Sequence, residues 1–264
     1  MRPLIAGNWK MNGLMAQMGE IEAIAASVTA KPSLADVLIC TPATLIARAV
    51  QVAAGRIGIG GQNCHAAIAG AFTGDISAEM LKDAGASSVI VGHSERRQHH
   101  GETDAMVAAK ASAALRVGLL VIICIGETQS QRSDGNALSV CADQIAGSMP
   151  EGVSSSSSAV AYEPLWAIGT GYIPTAEQIA QMHAHIRHCL EVRLGAGGKA
   201  VRILYGGSVK PSNALEILAL PEVDGALIGG ASLKATDFDD IIGAARARLD
   251  IKTSASTERT DRQC

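Results

Sequence analysis

The chain has 264 residues, a formal charge of −3, and a composition that is 48% hydrophobic but only 3% aromatic. A charge this close to neutral creates no global field for nucleic acid or an anionic membrane, so neither is expected as a partner. With so few aromatics the core has to be built from Ala, Val, Leu and Ile, which suits helices packed closely on a parallel sheet buried on both faces.

The opening segment, MRPLIAGNWK, has no apolar stretch long enough for a signal peptide, and no later segment reaches the length of a membrane span. A cytoplasmic protein is expected. Short β-branched runs alternate with Ala-rich amphipathic stretches from end to end. The predicted strands are 4–8, 36–40, 57–62, 88–91, 119–125, 159–163, 202–205 and 225–228. Helical stretches follow at 20–30, 43–54, 78–84, 104–117, 137–148, 176–194, 213–218 and 238–249. Eight βα units predict the α/β class and a closed (β/α)8 barrel, with eight parallel strands ringed by helices. Residues 1–250 are expected to form this one domain. The serine run 154–158 reads as a flexible loop, and the polar stretch 251–264, without apolar periodicity, as a disordered tail. The six cysteines are scattered and form no close pairs, as expected of buried, reduced thiols.

In such a barrel the reactive groups collect on the loops after the strands. Strand one runs into Asn8 and Lys10, which lie on one alternating face, and a lysine there can neutralise a phosphate or polarise a carbonyl. Strand four runs into His93, Ser94 and Glu95. The SERR segment reads as a helix start with Ser94 as cap, and a histidine beside a helix N-terminus is disfavoured as imidazolium. Strand six ends at Glu163, ahead of Pro164–Gly171, a segment apolar in the middle with proline at one end and glycines at the other. A water-excluding lid requires such a segment, and a carboxylate beneath it is a candidate general base.

Strands seven and eight run into Gly206-Gly207-Ser208 and Gly229-Gly230-Ala231-Ser232. One such turn is an ordinary tight connection. Two on neighbouring strands point to a phosphate held by main-chain N–H groups. His183, His185 and His188 read as a solvated helix face and not a metal site, because His183 points away from the other two and no carboxylate completes a set. Arg96, Arg97, His99 and His100 read as surface or interface charge.

These residues lie in motifs that closely resemble the triosephosphate isomerase family: GNWKMN (7–12), VGHSERR (91–97), CIGE (124–127), AYEPLWAIGTG (161–171), YGGSV (205–209) and GGASL (229–233), in order and from about residue 3 to 249. The resemblance implies a TIM barrel that interconverts dihydroxyacetone phosphate and glyceraldehyde 3-phosphate through an enediol, a step of glycolysis and gluconeogenesis, with no metal or cofactor. It implies that Glu163 takes the proton from carbon and that neutral His93 is the electrophile, a pairing for which this family is itself the standard example. It further implies that Lys10 and Asn8 bind and polarise the substrate, and that Gly169, Ser208, Gly229 and Gly230 hold the phosphate, with Ser94, Glu95 and Cys124 in support. A homodimer is implied too, through the loop from Gln62 to Ser77, whose tip carries Phe72. Tyr172 departs from the lysine common in the family, and Gln98-His99 from a frequently aromatic stretch. The same motifs also suit a paralogous isomerase of a four-carbon ketose phosphate, or a non-catalytic sugar-phosphate sensor.

Overall fold

A strand covered on one face by helices and on the other by the opposite wall of its own sheet must be apolar throughout, and nearly every strand residue here is buried. The strands are β1 (Leu4–Asn8), β2 (Asp36–Cys40), β3 (Gly58–Gly61), β4 (Ser88–Val91), β5 (Leu120–Ile125), β6 (Ser158–Tyr162), β7 (Arg202–Tyr205) and β8 (Gly225–Ile228). They pair in parallel in chain order, and β8 closes on β1, giving the expected closed barrel. The computed structural model describes residues 1–31, 34–168 and 172–260, and side chains as far as residue 247.

The helices are α1 (Met18–Ala30), α2 (Ile46–Ala53), α3 (Ala78–Asp83), α4 (Ser94–His100), α5 (Asp104–Arg116), α6 (Gln129–Ser133), α7 (Ala137–Ser148), α8 (Ala176–Leu194), α9 (Ala214–Ala219) and α10 (Ala235–Thr260). Their sequences specify their starts. Thr103 caps α5 by accepting from the Met106 N–H, and Thr175 with Gln178 forms a reciprocal capping box on α8. On α8 the buried positions Ile179, Met182, His183, Ile186 and Leu190 follow the helical repeat and face the sheet.

The core has two parts. One cluster draws on strand residues only, at alternate positions: Leu4 and Ala6, Leu38 and Cys40, Ile90, Ile122 and Cys124, Ala159 and Ala161, Leu204, and Leu227. Period-two alternation makes this the barrel interior. Ile5, Ile39, Val89, Val91, Ile123 and Val160 belong to the other cluster, which packs against the helices. Continuing the inward series one step names Asn8, the last residue of β1, and Glu163, Gly206 and Gly229, each just past its strand, so the strand alternation itself places these residues at the mouth.

Several expectations need correction. The serines are not a loose loop: Ser158 opens β6, and Ser154 to Ser157 form a turn tied by hydroxyls, with Ser158 Oγ donating to the Ser154 carbonyl at 2.6 Å. The last helix does not stop near Leu249, since α10 runs on to Thr260 through most of the stretch read as tail. His183 is not on a solvated face. It is fully buried, its Nδ1–H donates to the Glu222 carbonyl at 3.0 Å, and burial pushes its pKa down to about 4. Arg97 is not a surface charge either: it donates to the Gly92 and Cys124 carbonyls, Ser148 Oγ and Asp104 Oδ1, joining α4 to α5, β5 and α7. Among the described residues no helix is long and apolar enough to cross a membrane, and no group of His, Cys, Asp and Glu is arranged to hold a metal ion.

Candidate active site

Asn8, Lys10, His93, Glu163, Ser208, Gly229 and Gly230 line one cavity of about 280 Å³ at the C-terminal end of the barrel. The backbone at Lys10 is left-handed, with φ of 53°, an uncommon conformation for a residue with a Cβ. Its N–H donates to Asn8 Oδ1 at 3.0 Å, which holds that turn in place. The Lys10 ammonium lies 2.6 Å from Glu95 Oε1, so Glu95 aims it across the mouth.

His93, and not Ser94, caps α4: its Nδ1 accepts from the Glu95 N–H at 3.3 Å. That bond assigns the tautomer, because a ring nitrogen that accepts carries no proton. The proton therefore sits on Nε2, 2.9 Å from Glu163 Oε1. Glu163 is 2% exposed; its Oε2 accepts from the Ser94 N–H at 2.9 Å, and Ser94 Oγ lies 3.4 Å from Oε1. Burial opposes charge on both partners, pushing His93 down and Glu163 up. Their mutual attraction and hydrogen bond outweigh burial, so His93 is raised and Glu163 is held below the usual carboxylate range, helped by the Ser94 N–H and the Cys124 thiol. The Cys124 thiol is itself pushed up, first by burial and then by Glu163, and remains a neutral donor.

The position of Glu163 depends on glycines in neighbouring strand ends. A Cβ on Gly126 would lie 1.8 Å from the Glu163 carbonyl oxygen, and one on Gly206 would lie 2.9 Å from Glu163 Cγ. Any side chain at either place would displace the carboxylate. Across the cavity, a short 3-10 turn from Gly230 to Leu233 follows β8, and Trp9 Nε1–H donates to its Ser232 carbonyl at 3.0 Å, tying the turn to β1. Gly169 lies outside the described residues.

Sequence reasoning missed Glu127. It is fully buried, and its Oε1 accepts from Trp166 Nε1 at 2.8 Å, Arg132 Nη1 at 3.0 Å and Tyr162 Oη at 3.1 Å. The Arg132 guanidinium lies 4.7 Å over the Trp166 ring, and Tyr172 meets that ring edge-on at 6.2 Å. Through Trp166 the chain leaving β6 thus rests on one buried carboxylate. The signal lies in CIGE, which places a carboxylate just past an apolar strand, as AYE does at Glu163. Ile168, Val209, Lys210 and Leu227 also line the cavity and were not anticipated.

Residues 3–245 match the family model described as "Triosephosphate isomerase". The chain is 58% identical to the triosephosphate isomerase of Rhodopseudomonas palustris (strain BisA53) over 90% of its own length and 95% of the relative's. It is 60% identical to that of Hyphomonas neptunium (strain ATCC 15444), over 90% and 96%. The crystal structure of triosephosphate isomerase from Bartonella henselae superposes with a TM-score of 0.88 at 50% identity, covering 93% of this chain and all of that one. With the barrel, the cavity and these matches in agreement, the chain belongs to the triosephosphate isomerase family.

Proposed function

We propose that this cavity interconverts dihydroxyacetone phosphate and D-glyceraldehyde 3-phosphate, with Glu163 as the base and neutral His93 as the electrophile. The observation that carries the reading is the buried 2.9 Å contact between Glu163 and the protonated nitrogen of His93, in one cavity with Lys10 and the paired-glycine turns. Glu163 removes a proton from the carbon beside the carbonyl. The electron pair moves onto the carbonyl oxygen, where His93 Nε2–H and the Lys10 ammonium stabilise the developing charge. Asn8 fixes the turn that presents Lys10. His93 Nε2–H protonates the carbonyl oxygen and recovers a proton from the adjacent hydroxyl. As the carboxylic acid returns its proton to the former carbonyl carbon, the electron pair left on the adjacent oxygen re-forms the carbonyl on the carbon that was first deprotonated, without metal or cofactor. Ser208, Gly229 and Gly230, with Gly169, hold the phosphate through main-chain N–H groups.

The resting contacts have a catalytic consequence. Hydrogen bonds from Ser94 and His93 keep Glu163 weakly basic. Substrate takes over His93 Nε2–H and displaces the carboxylate from Ser94, so Glu163 reaches the reacting carbon stripped of the bonds that lowered its pKa, and is a stronger base there. The same movement takes the carboxylate's charge away from His93. Burial, the Glu95 N–H and the Lys10 charge then favour neutral imidazole against the Glu95 carboxylate, which Lys10 holds at 2.6 Å. The relatives' shared name favours the three-carbon substrate over a four-carbon one, and a base, electrophile and lid in one cavity favour turnover over sensing.

The catalytic domain is residues 1–250, with 251–264 outside it, and the setting is cytoplasmic. The working form is a homodimer built on the loop from Gln62 to Ser77. Phe72 on that loop is 46% exposed and stacks on His65 at 4.1 Å, near exposed Met80. A cavity of about 720 Å³ beside the loop, lined among others by Met11, Ile76, Glu95 and His99, has room for a partner's loop. Exposed apolar surface of this extent fits an interface.

Three measurements test these assignments. Glu163→Asp draws the carboxylate back by about an ångström, and turnover is expected to fall by roughly a hundredfold or more; turnover within a few-fold of the parent removes Glu163 as base. In a carbon-13 titration of the free enzyme, the Glu163 carboxylate should titrate below the usual glutamate range, because its folded pKa is depressed. Its contribution to stability is then complete above the unfolded value and lost as pH falls through the folded one, and a midpoint above the usual range contradicts the resting arrangement. Phe72→Asp should sediment as a monomer where the parent sediments as a dimer; an unshifted dimer moves the interface elsewhere.

A further inference from the structure

The charge balance of the cavity singles out a residue beyond the catalytic set. The charged or titratable side chains lining it are Lys10, His93, Glu163 and Lys210. Lys10 is matched by Glu95 at 2.6 Å, and His93, whose Nδ1 accepts from the Glu95 N–H, presents its one proton to Glu163 at 2.9 Å. Glu163 alone would leave the mouth net negative, yet the substrate's phosphate carries nearly two negative charges. Something must offset that repulsion as the substrate arrives.

Lys210 is exposed and sits at the phosphate end, directly after Ser208 and Val209. Asn213 fixes its place on the chain: Lys210 N–H donates to Asn213 Oδ1 at 2.8 Å, and Asn213 Nδ2 donates to the Ser208 carbonyl at 3.2 Å. One side chain therefore fastens both the phosphate-binding serine and the lysine two residues on. The Lys210 ammonium has no ion-pair partner among the described residues, whereas Lys10 has Glu95 and Lys234 has Glu20.

We propose that Lys210 is the cation that draws the substrate's phosphate into the cavity, setting the rate of capture and not the rate of chemistry. The proposal rests on the reading of the paired-glycine turns as the phosphate site. A cation at the rim of a cleft speeds arrival of an anion through a field that salt screens, whereas a group acting in the chemical step affects turnover of bound substrate.

The experiment compares the parent, Lys210→Gln and Lys210→Arg in steady-state kinetics on glyceraldehyde 3-phosphate across ionic strength, with inorganic phosphate as competitive inhibitor. For Lys210→Gln at low salt, kcat/KM should fall about three- to tenfold with kcat within twofold of the parent, and phosphate inhibition should weaken by a similar factor. The deficit should shrink toward nothing at about 0.5 M salt, where screening reaches only a few ångströms. Lys210→Arg, which keeps the charge, should restore both the rate and its salt dependence. An unchanged kcat/KM at low salt, a deficit that persists at high salt, or failure of arginine to rescue overturns the assignment. Glu163→Asp run in the same assay separates the two readings: its collapse beside an indifferent Lys210→Gln overturns only the role of Lys210, while its indifference would remove the site itself.

Discussion

The contact between His93 Nε2 and Glu163 Oε1 is the constraint around which the rest of the site is arranged. Burying a lone carboxylate costs on the order of several kcal/mol even after relaxation. Glu163 is tolerated at the end of β6 because Ser94, His93 and Cys124 supply hydrogen bonds, and bonds to a charged group are each worth about 1.5–3 kcal/mol. The pair is thus stable at rest and held together by interactions that substrate can replace. A carboxylate paired permanently with a cation such as Arg97 would be just as stable and far less available to a substrate.

The barrel supplies the precision this needs. Parallel strands in register present their inward side chains at one level, and the series that fills the interior with Ala6, Ala161, Leu204 and Leu227 continues into Asn8, Glu163, Gly206 and Gly229 at the mouth. Small residues do much of the positioning. Gly126 and Gly206 leave the space that Glu163 occupies, and the left-handed turn at Lys10 brings its side chain over the cavity. Just past β5, Glu127 gathers Tyr162, Arg132 and Trp166 onto a single oxygen, so the chain leaves β6 from a fixed base.

The strands were legible in the sequence because double burial makes them apolar without interruption, and five of the eight have the expected bounds. The residues at the mouth were legible because polar groups directly after apolar strands have few other reasons to be there. What escaped lay in side-chain direction. Arg96 and Arg97 look alike in the sequence, but on α4 their directions differ, and Arg97 turns inward onto four acceptors. His183 falls on the apolar stripe of α8, so helical spacing marks it as core, whereas His188 on the same helix is exposed. The cap of α4 was assigned to Ser94 by residue preference, yet His93 holds that place, which fixes the tautomer more firmly than proximity to a helix end could. Glu127 is harder to read because only Arg132 among its partners is near in sequence, while Tyr162 and Trp166 reach it through the pairing of β5 with β6.

The account's central claim is that Glu163 exchanges its resting partners for the reacting carbon when substrate binds. A crystal structure of the protein with a non-reactive triose phosphate analogue tests this directly. The expected result is a Glu163 carboxylate withdrawn from the Ser94 N–H and placed against the carbon skeleton, with His93 Nε2 on the analogue's oxygens and the phosphate between the Ser208 and Gly229–Gly230 turns. A carboxylate still bonded to Ser94 and His93, with the analogue seated in that same cavity, would contradict it.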